Sequence, residues 1–351
     1  MQATAQSFMK SIRANQETGL IDPAWLVATE NSQVRNGNEL NWTSLGPDNY
    51  GSLTRAIVYD KNDATNKTLY IGTMGGGIFE TVNGGITWRT ISDNMMASCM
   101  VQTEDGTIFI GTGDGRNAKD QNGLADFNYE TSFVGSGIYK LGSNEPMEGT
   151  TEWSFVNALA AYGNIVYAAT DKGLFRYEEN TWTAMVDTIA AQSVKVCPDG
   201  KVLATIGDEV CLFKGEECEV LSTDETGKID ETGKLPKGTT YKIIATSPSD
   251  ANYMYVAYLT KANGTNNIYM TSDGGATWVT AYTHTAMYDI FVNRGLLDHA
   301  MVVYPNNPKK LLIGGQNVWV MKDETNTGIF RMECVSEGKG FQIAQSSGAF
   351  Y

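Results

Sequence analysis

Several things are scarce in this chain of 351 residues, and each scarcity closes a class of explanation. No run of about 20 apolar residues occurs, so no segment is long and apolar enough to span a bilayer as a helix, and membrane insertion is not expected. Histidine is almost missing: His284 and His299 are the two copies, too few and too far apart for a zinc-binding pattern. Positive charge is in deficit, with 26 Lys and Arg against 40 Asp and Glu. A net charge of -14 argues against nucleic acid, whose binding needs a basic surface to displace counterions. It also argues against adhesion to anionic lipid. The five cysteines, Cys99, Cys197, Cys211, Cys218 and Cys334, show no CxxC spacing, and their odd number excludes a disulfide framework. Cys211 to Cys218 reads as a hairpin with Lys214-Gly215 at its tip, where the two sulfurs form either a local disulfide or two separate thiols. Residues 1–14 contain no uninterrupted apolar core of signal-peptide type. No GxSxG, HExxH or Walker-type loop is present.

Proline is scarce at 8 residues while glycine reaches 37, which suits many tight turns between short strands. A strand-like run recurs: Leu69 to Thr73, Ile108 to Thr112, Ile165 to Thr170, Val202 to Thr205, Met254 to Ala257 and Leu311 to Gly315. Each is rich in β-branched or aromatic residues and apolar on both sides, as an inner strand buried on both faces would be. Before each run stand an apolar strand and, in most copies, a turn such as Glu104-Asp105-Gly106 or Pro198-Asp199-Gly200. After each comes a second short strand, then a last one often marked by Trp88, Trp153, Trp182 or Trp278.

That order is one four-stranded antiparallel blade. A blade cannot cover both its own apolar faces, whereas six or seven arranged radially can. The expected fold is an all-β propeller of six blades, or of seven. An orphan strand around Trp42-Thr43-Ser44-Leu45 precedes the first blade and is expected to complete the last one as a clasp. Alternatively, it joins Phe341-Gln342-Ile343 in a partial seventh blade. Residues 1–38 read as an N-terminal helical arm, with Phe8, Met9 and Ile12 at helical spacing and Asp22-Pro23 as a helix start. Residues 39–351 form the propeller.

Two turns carry a recognisable motif. Thr271-Ser272-Asp273-Gly274-Gly275-Ala276-Thr277-Trp278 fits Ser/Thr-x-Asp-x-Gly-x-Thr-Trp at every fixed position, and Thr81 to Trp88 fits with Asn83 for Asp. The Asp or Asn side chain is expected to accept bonds from turn amides, Gly85 and Gly275 to allow positive φ, and Trp88 and Trp278 to pack between blades. On these residues the chain resembles the Asp-box (bacterial neuraminidase repeat) propellers. The resemblance covers residues 40–335 and extends to secreted or surface propeller proteins of Bacteroidetes-type bacteria through Trp42 to Pro47, Gly75-Gly76-Gly77 and Gly111 to Asp114. It implies architecture strongly and activity weakly.

Sialidases of this superfamily hold a carboxylate with an arginine cluster and carry Arg-Ile-Pro near the first blade. This chain has no Arg-Ile-Pro, and Arg55 is its best candidate for an anion contact. Xyloglucanase-like relatives use two carboxylates, one in a Thr-Asp-x-Gly-Gly stretch. Here that stretch reads Thr73-Met74-Gly75-Gly76-Gly77, and Met74 cannot donate a proton. Asp114 occupies the analogous place in blade two and Asp171 in blade three, so Asp114 is the candidate catalytic acid.

The blade-two insertion, residues 113–134, gathers Asp114, Asp120 and Asn122, oxygen ligands of the kind that hold Ca²⁺, although not at EF-hand spacing. Its Phe127 and Tyr129, together with Tyr282 and Tyr288 of a later loop, are candidates for stacking on sugar rings or for a protein contact. No other cofactor is expected. The leading expectation is a monomeric, non-catalytic propeller outside the cytoplasm that binds a glycan or a protein through loops on one face. Alternatives are a glycoside hydrolase and an assembly factor docked through the N-terminal arm.

Overall fold

A computed structural model of the protein describes residues 53–75, 77–93, 95–118, 125–127, 133–223, 229–237, 241–259, 267–283, 290, 299–315, 317–324 and 330–336. For 116–118 and 125–127 it describes the backbone alone. The helical arm, the orphan Trp42 strand and Phe341 to Ile343 lie outside the described residues. Among the described residues there is no helix.

Within the blades the strands pair in chain order and antiparallel, while Ser222–Thr223 and Leu235–Pro236 form a separate short parallel pair. Blade one comprises Thr54–Tyr59, Leu69–Thr73, Gly77–Thr81 and Arg89–Ser92; blade three comprises Val156–Tyr162, Ile165–Thr170, Gly173–Glu178 and Thr181–Val186. Blade four runs through Ala191–Val196, Val202–Ile206, Glu209–Lys214 and Glu217–Val220. Blade five runs through Tyr241–Thr246, Met254–Leu259, Ile268–Thr271 and Val279–Tyr282. Blade six runs through Ala300–Tyr304, Asn307–Gly314, Val318–Lys322 and Arg331–Cys334. Blade two has three strands, Ala97–Gln102, Ile108–Thr112 and Ile138–Lys140, with a separate ribbon of Arg116–Ala118 and Ala125–Phe127 inside its insertion.

One expectation is corrected. Trp153 does not lie on a fourth strand of blade two. The chain instead turns after Lys140, the Met147 amide bonds the Ile138 carbonyl at 2.7 Å, and Trp153 is buried against Phe175 and Trp182 of blade three. Among the described residues blade six draws its fourth strand from Arg331–Cys334; the clasp expected from the Trp42 strand lies outside them. The hairpin between Glu209–Lys214 and Glu217–Val220 does form, but its register sets Cys211 opposite Val220 and Cys218 opposite Phe213. The two thiols are therefore diagonal neighbours, and both are free.

The chain divides into two compact units, one of residues 1–116 and 127–194, the other of 117–126 and 195–351. Within the first, blades one and two bury Tyr70, Ile78, Ala97, Ile110 and Tyr139 between them, and blades two and three bury Phe109, Ile138, Val156, Val166 and Tyr177. Within the second, Leu212 and Leu221 of blade four pack on Val256, Tyr258 and Trp278 of blade five. Each fully buried Leu or Phe of this kind contributes about 1.5–3 kcal/mol. The inner strands are apolar on both sides because both sides meet a neighbour: Val202–Ile206 and Met254–Leu259 are buried at every position.

The two motif turns have the same wiring. In blade five the Thr271 hydroxyl donates to Asp273 Oδ1 at 2.7 Å, the Gly275 amide donates to Thr271 Oγ1 at 3.0 Å, and the Thr277 hydroxyl and amide both donate to Asp273. In blade one Asn83 Oδ1 accepts from the Thr81 hydroxyl and the Thr87 amide, while its Nδ2 donates to Thr87 Oγ1. The third turn residue must have positive φ, which Gly85 (+91°) and Gly275 (+97°) supply. Burial alone would raise the Asp273 carboxyl, but the bonds from Thr277 and Thr271 outweigh it and hold it below its usual 3.8. A depressed folded pKa gives stability that is present above the unfolded value and lost as pH falls. Asn83 does the same work without a titrating proton. We expect urea midpoints to be flat above about pH 5 and to fall below about pH 4, and Asp273→Asn to flatten part of that decline. An acid profile unchanged by the substitution would contradict the assignment.

Candidate functional site

The first strands of blades one, two and three share an irregularity. The register shifts between Thr54 and Ala56, between Ala97 and Cys99, and between Val156 and Ala158. A bulge re-aims one side chain out of the pleat. The residues at these positions are Arg55, Ser98 and Asn157, and each reaches the following blade. Ser98 Oγ donates to the Val156 carbonyl at 2.6 Å, and Asn157 Nδ2 donates to the Ala191 carbonyl at 2.7 Å. Arg55 Nε donates to Asp114 Oδ2 at 3.0 Å.

Two residues picked independently from the sequence thus meet in one ion pair, with side-chain exposures of 8% and 4%. Asp114 is placed by a close backbone approach. Gly113 has φ +86°, and a Cβ there would lie 2.1 Å from the Ser154 carbonyl oxygen; one on Gly135 would lie 2.4 Å from the Gly113 nitrogen. The Asp114 amide then bonds the Phe133 carbonyl at 2.8 Å. Burying two charges is tolerable because each neutralises the other.

The equivalent turns of blades one and three differ. Met74 is buried in the first. In the other, Asp171 Oδ1 accepts from the Phe155 amide at 3.2 Å, and its carboxylate lies 3.4 Å from Lys172. Burial pushes the Asp171 carboxyl up from its usual range despite Lys172.

Of the remaining candidates, Tyr282 ends the last strand of blade five half-buried. Phe127 ends a strand of the insertion ribbon. Asp120, Asn122, Tyr129 and Tyr288 lie outside the described residues. Among the described residues no group of three or more His, Cys, Asp or Glu converges as a metal site. Trp278 is buried as expected, but Trp88 is not: it is 41% exposed. Trp278 belongs to the buried cluster that also holds Leu212, Leu221 and Leu235.

Two features had no signal in the sequence. A recess of about 280 Å³ opens between residues 143–148 and the Glu178–Asn180 turn, lined by Lys140, Ser143, Glu145, Glu148, Tyr177 and Asn180 among others. Lys140 Nζ sits 5.6 and 5.5 Å above the Phe109 and Tyr177 rings and bonds the Tyr177 hydroxyl at 3.3 Å. Tyr177 in turn donates to Asn180 Oδ1 at 3.1 Å. The second feature is Lys242, fully buried on the first strand of blade five with its ammonium 5.3 Å from the Tyr258 ring. Burial pushes its pKa down to about 8. Neither stood out in the sequence, because a lysine on an apolar strand carries no spacing pattern.

No protein-family model matches this chain, and no curated protein sequence does. Among solved structures it is similar to an ancestral GH74 enzyme at 11% identity and TM-score 0.52, over 80% of this chain and 40% of that one. It is similar to the extracellular domain of a hybrid two-component system of B. thetaiotaomicron at 10% identity and TM-score 0.52, over 83% and 34%. A streptogramin B lyase matches at 11% identity and TM-score 0.51, over 84% and 85%. The chain spans well under half the length of the first two. At these identities the likeness shows fold alone. The fold is a β-propeller.

If the Arg55–Asp114 pair is an inter-blade tie, Arg55→Met leaves a buried carboxylate without its guanidinium and should cost about 3–5 kcal/mol. Arg55→Met with Asp114→Leu should recover most of that loss. A double-mutant cycle in urea measures it, and additive losses would contradict the tie.

Proposed function

We propose that this protein is a non-catalytic binding propeller whose ligand is a glycan. The observation that carries the proposal is the wiring of Arg55 and Asp114. The residue best placed by sequence to act as an acid is turned onto a guanidinium and belongs to a series of inter-blade ties with Ser98 and Asn157. A carboxylate in that position is occupied with holding blades together and is poorly placed to protonate a glycosidic oxygen. Arg55 pairs with Asp114 through its Nε.

The recess beside Lys140 supports a neutral ligand. It offers donors from Lys140 and Asn180, acceptors from Glu145 and Glu148, and the Tyr177 hydroxyl between them. One cation beside two carboxylates discourages a strongly anionic ligand, while mixed donors and acceptors suit sugar hydroxyls. The extracellular domain among the structural neighbours supports a place outside the cytoplasm. The insertion loop with Asp120 and Asn122 is where Ca²⁺ would enter, should binding require it.

Asp171 favours a second reading, a glycoside hydrolase, because its carboxyl is pushed toward the protonated form. The two readings separate in one experiment: a glycan-array screen with and without Ca²⁺, followed by product analysis of each hit. Binding without product, weakened about tenfold or more by Asn180→Ala with Glu148→Ala, is the expected result. Product formation that Asp171→Asn abolishes would establish the hydrolase reading instead. A protein partner would remain after silence on every glycan, and the glycan proposal would then fail.

A further inference from the structure

Blade one and blade five carry the same turn with a chemical difference at its centre. Asn83 stands where blade five has Asp273, and a glycine follows each of them. An asparagine before glycine is open to attack by the next backbone nitrogen, because no side chain shields that nitrogen. A Cβ built on Gly84 would meet nothing within 4 Å, and Gly84, Gly85 and Thr87 are exposed. Crowding therefore does not protect the Asn83–Gly84 pair.

Hydrogen bonds hold the reacting groups instead. Asn83 Oδ1 accepts from the Thr81 hydroxyl at 2.9 Å and from the Thr87 amide at 3.0 Å. Nδ2, the nitrogen that would have to leave, donates to Thr87 Oγ1 at 2.8 Å. The Gly84 amide donates to the Lys67 carbonyl at 2.9 Å, which keeps on that nitrogen the proton that attack must remove. We propose that Asn83 is a site of spontaneous deamidation that the blade-one turn holds shut through Thr81, Thr87 and the Lys67 carbonyl. When those bonds open, the Gly84 nitrogen loses its proton to water or hydroxide and bonds Asn83 Cγ. The Cγ–Nδ2 bond breaks and the nitrogen leaves as ammonia, giving a cyclic imide. Water then opens the imide, at Cγ to give aspartate or at the main-chain carbonyl to give isoaspartate; nothing is oxidised or reduced. The turn accommodates the aspartate, since Asp273 fills the same place in blade five with the Thr277 hydroxyl donating to it at 2.6 Å. Thr87 needs only to turn its hydroxyl from acceptor to donor. Conversion of Asn83 is thus a record of how often blade one opens at this turn.

Peptide mapping of the full chain by mass spectrometry, after incubation in mildly alkaline buffer with and without urea, tests this. In urea that unfolds the chain, Asn83 should convert at the rate of the other Asn-Gly pairs, Asn36-Gly37, Asn122-Gly123 and Asn263-Gly264. In native buffer it should convert about tenfold more slowly or less, as a group that reacts only through local opening does. Thr87→Val removes the partner of Nδ2 and should raise the native rate about threefold to tenfold while leaving the rate in urea unchanged. Thr87→Ser, which keeps the hydroxyl, and Thr277→Val, the counterpart in blade five, should both leave Asn83 at the wild-type rate. The comparison of native and unfolded wild type needs no variant and decides the proposal where Thr87→Val does not fold. Equal rates in native buffer and urea would overturn the gate, and no conversion of Asn83 in urea would overturn the site. A folded Thr87→Val chain with the wild-type rate would show that these hydrogen bonds do not hold it shut.

Discussion

A blade of four strands has two apolar faces and only one chain with which to cover them. Everything else in this protein follows from that constraint. Inner strands such as Met254–Leu259 lose the alternation of a half-exposed strand because both sides of the pleat are buried. The side chains that bury them come from the next blade, so the core is a set of seams and not one central cluster. Stability is then shared among nearest-neighbour interfaces, in the manner of repeat proteins.

Polar residues enter this scheme as ties between neighbours. Arg55, Ser98 and Asn157 sit at the same bulge of three successive first strands, and each satisfies a group on the blade that follows. The bulge is what makes the contact available, since a regular pleat would point the side chain into one face or the other. The ties also limit chemistry. Arg55 and Asp114 neutralise each other across the seam and are both buried. Other polar groups stand at the ends of the strands, as at the recess beside Lys140 and Asn180.

The Asp-box-like turns show how one local solution serves two environments. Their hydrogen bonds are nearly identical in blades one and five, because Asn83 and Asp273 present an oxygen to the same amide. Their tryptophans differ because the side chain answers to neighbours and the turn does not. The turn is fixed by short-range bonds and by the positive φ of one glycine; burial of the indole depends on what lies across the seam.

The sequence by itself determined the strands, their order and the two turns. Those signals are local: short β-branched and aromatic runs apolar on both sides, Gly and Asp at fixed offsets, and a repeat that recurs six times. It also picked out Arg55 and Asp114 as unusual, though not that they belong to one pair. Only the tertiary structure decided that, because the two are 59 residues apart and meet through a bulge and a Gly113–Gly135 approach that no spacing rule encodes. The same holds for Trp153, which the sequence placed on a strand and the fold placed in a seam. It holds for Lys242, whose burial is set by Tyr258 and the blades around it. Local hydrogen bonding is written within a few residues and can be read there. Burial and pairing are decided by which blade stands alongside, and that is information only the folded chain contains.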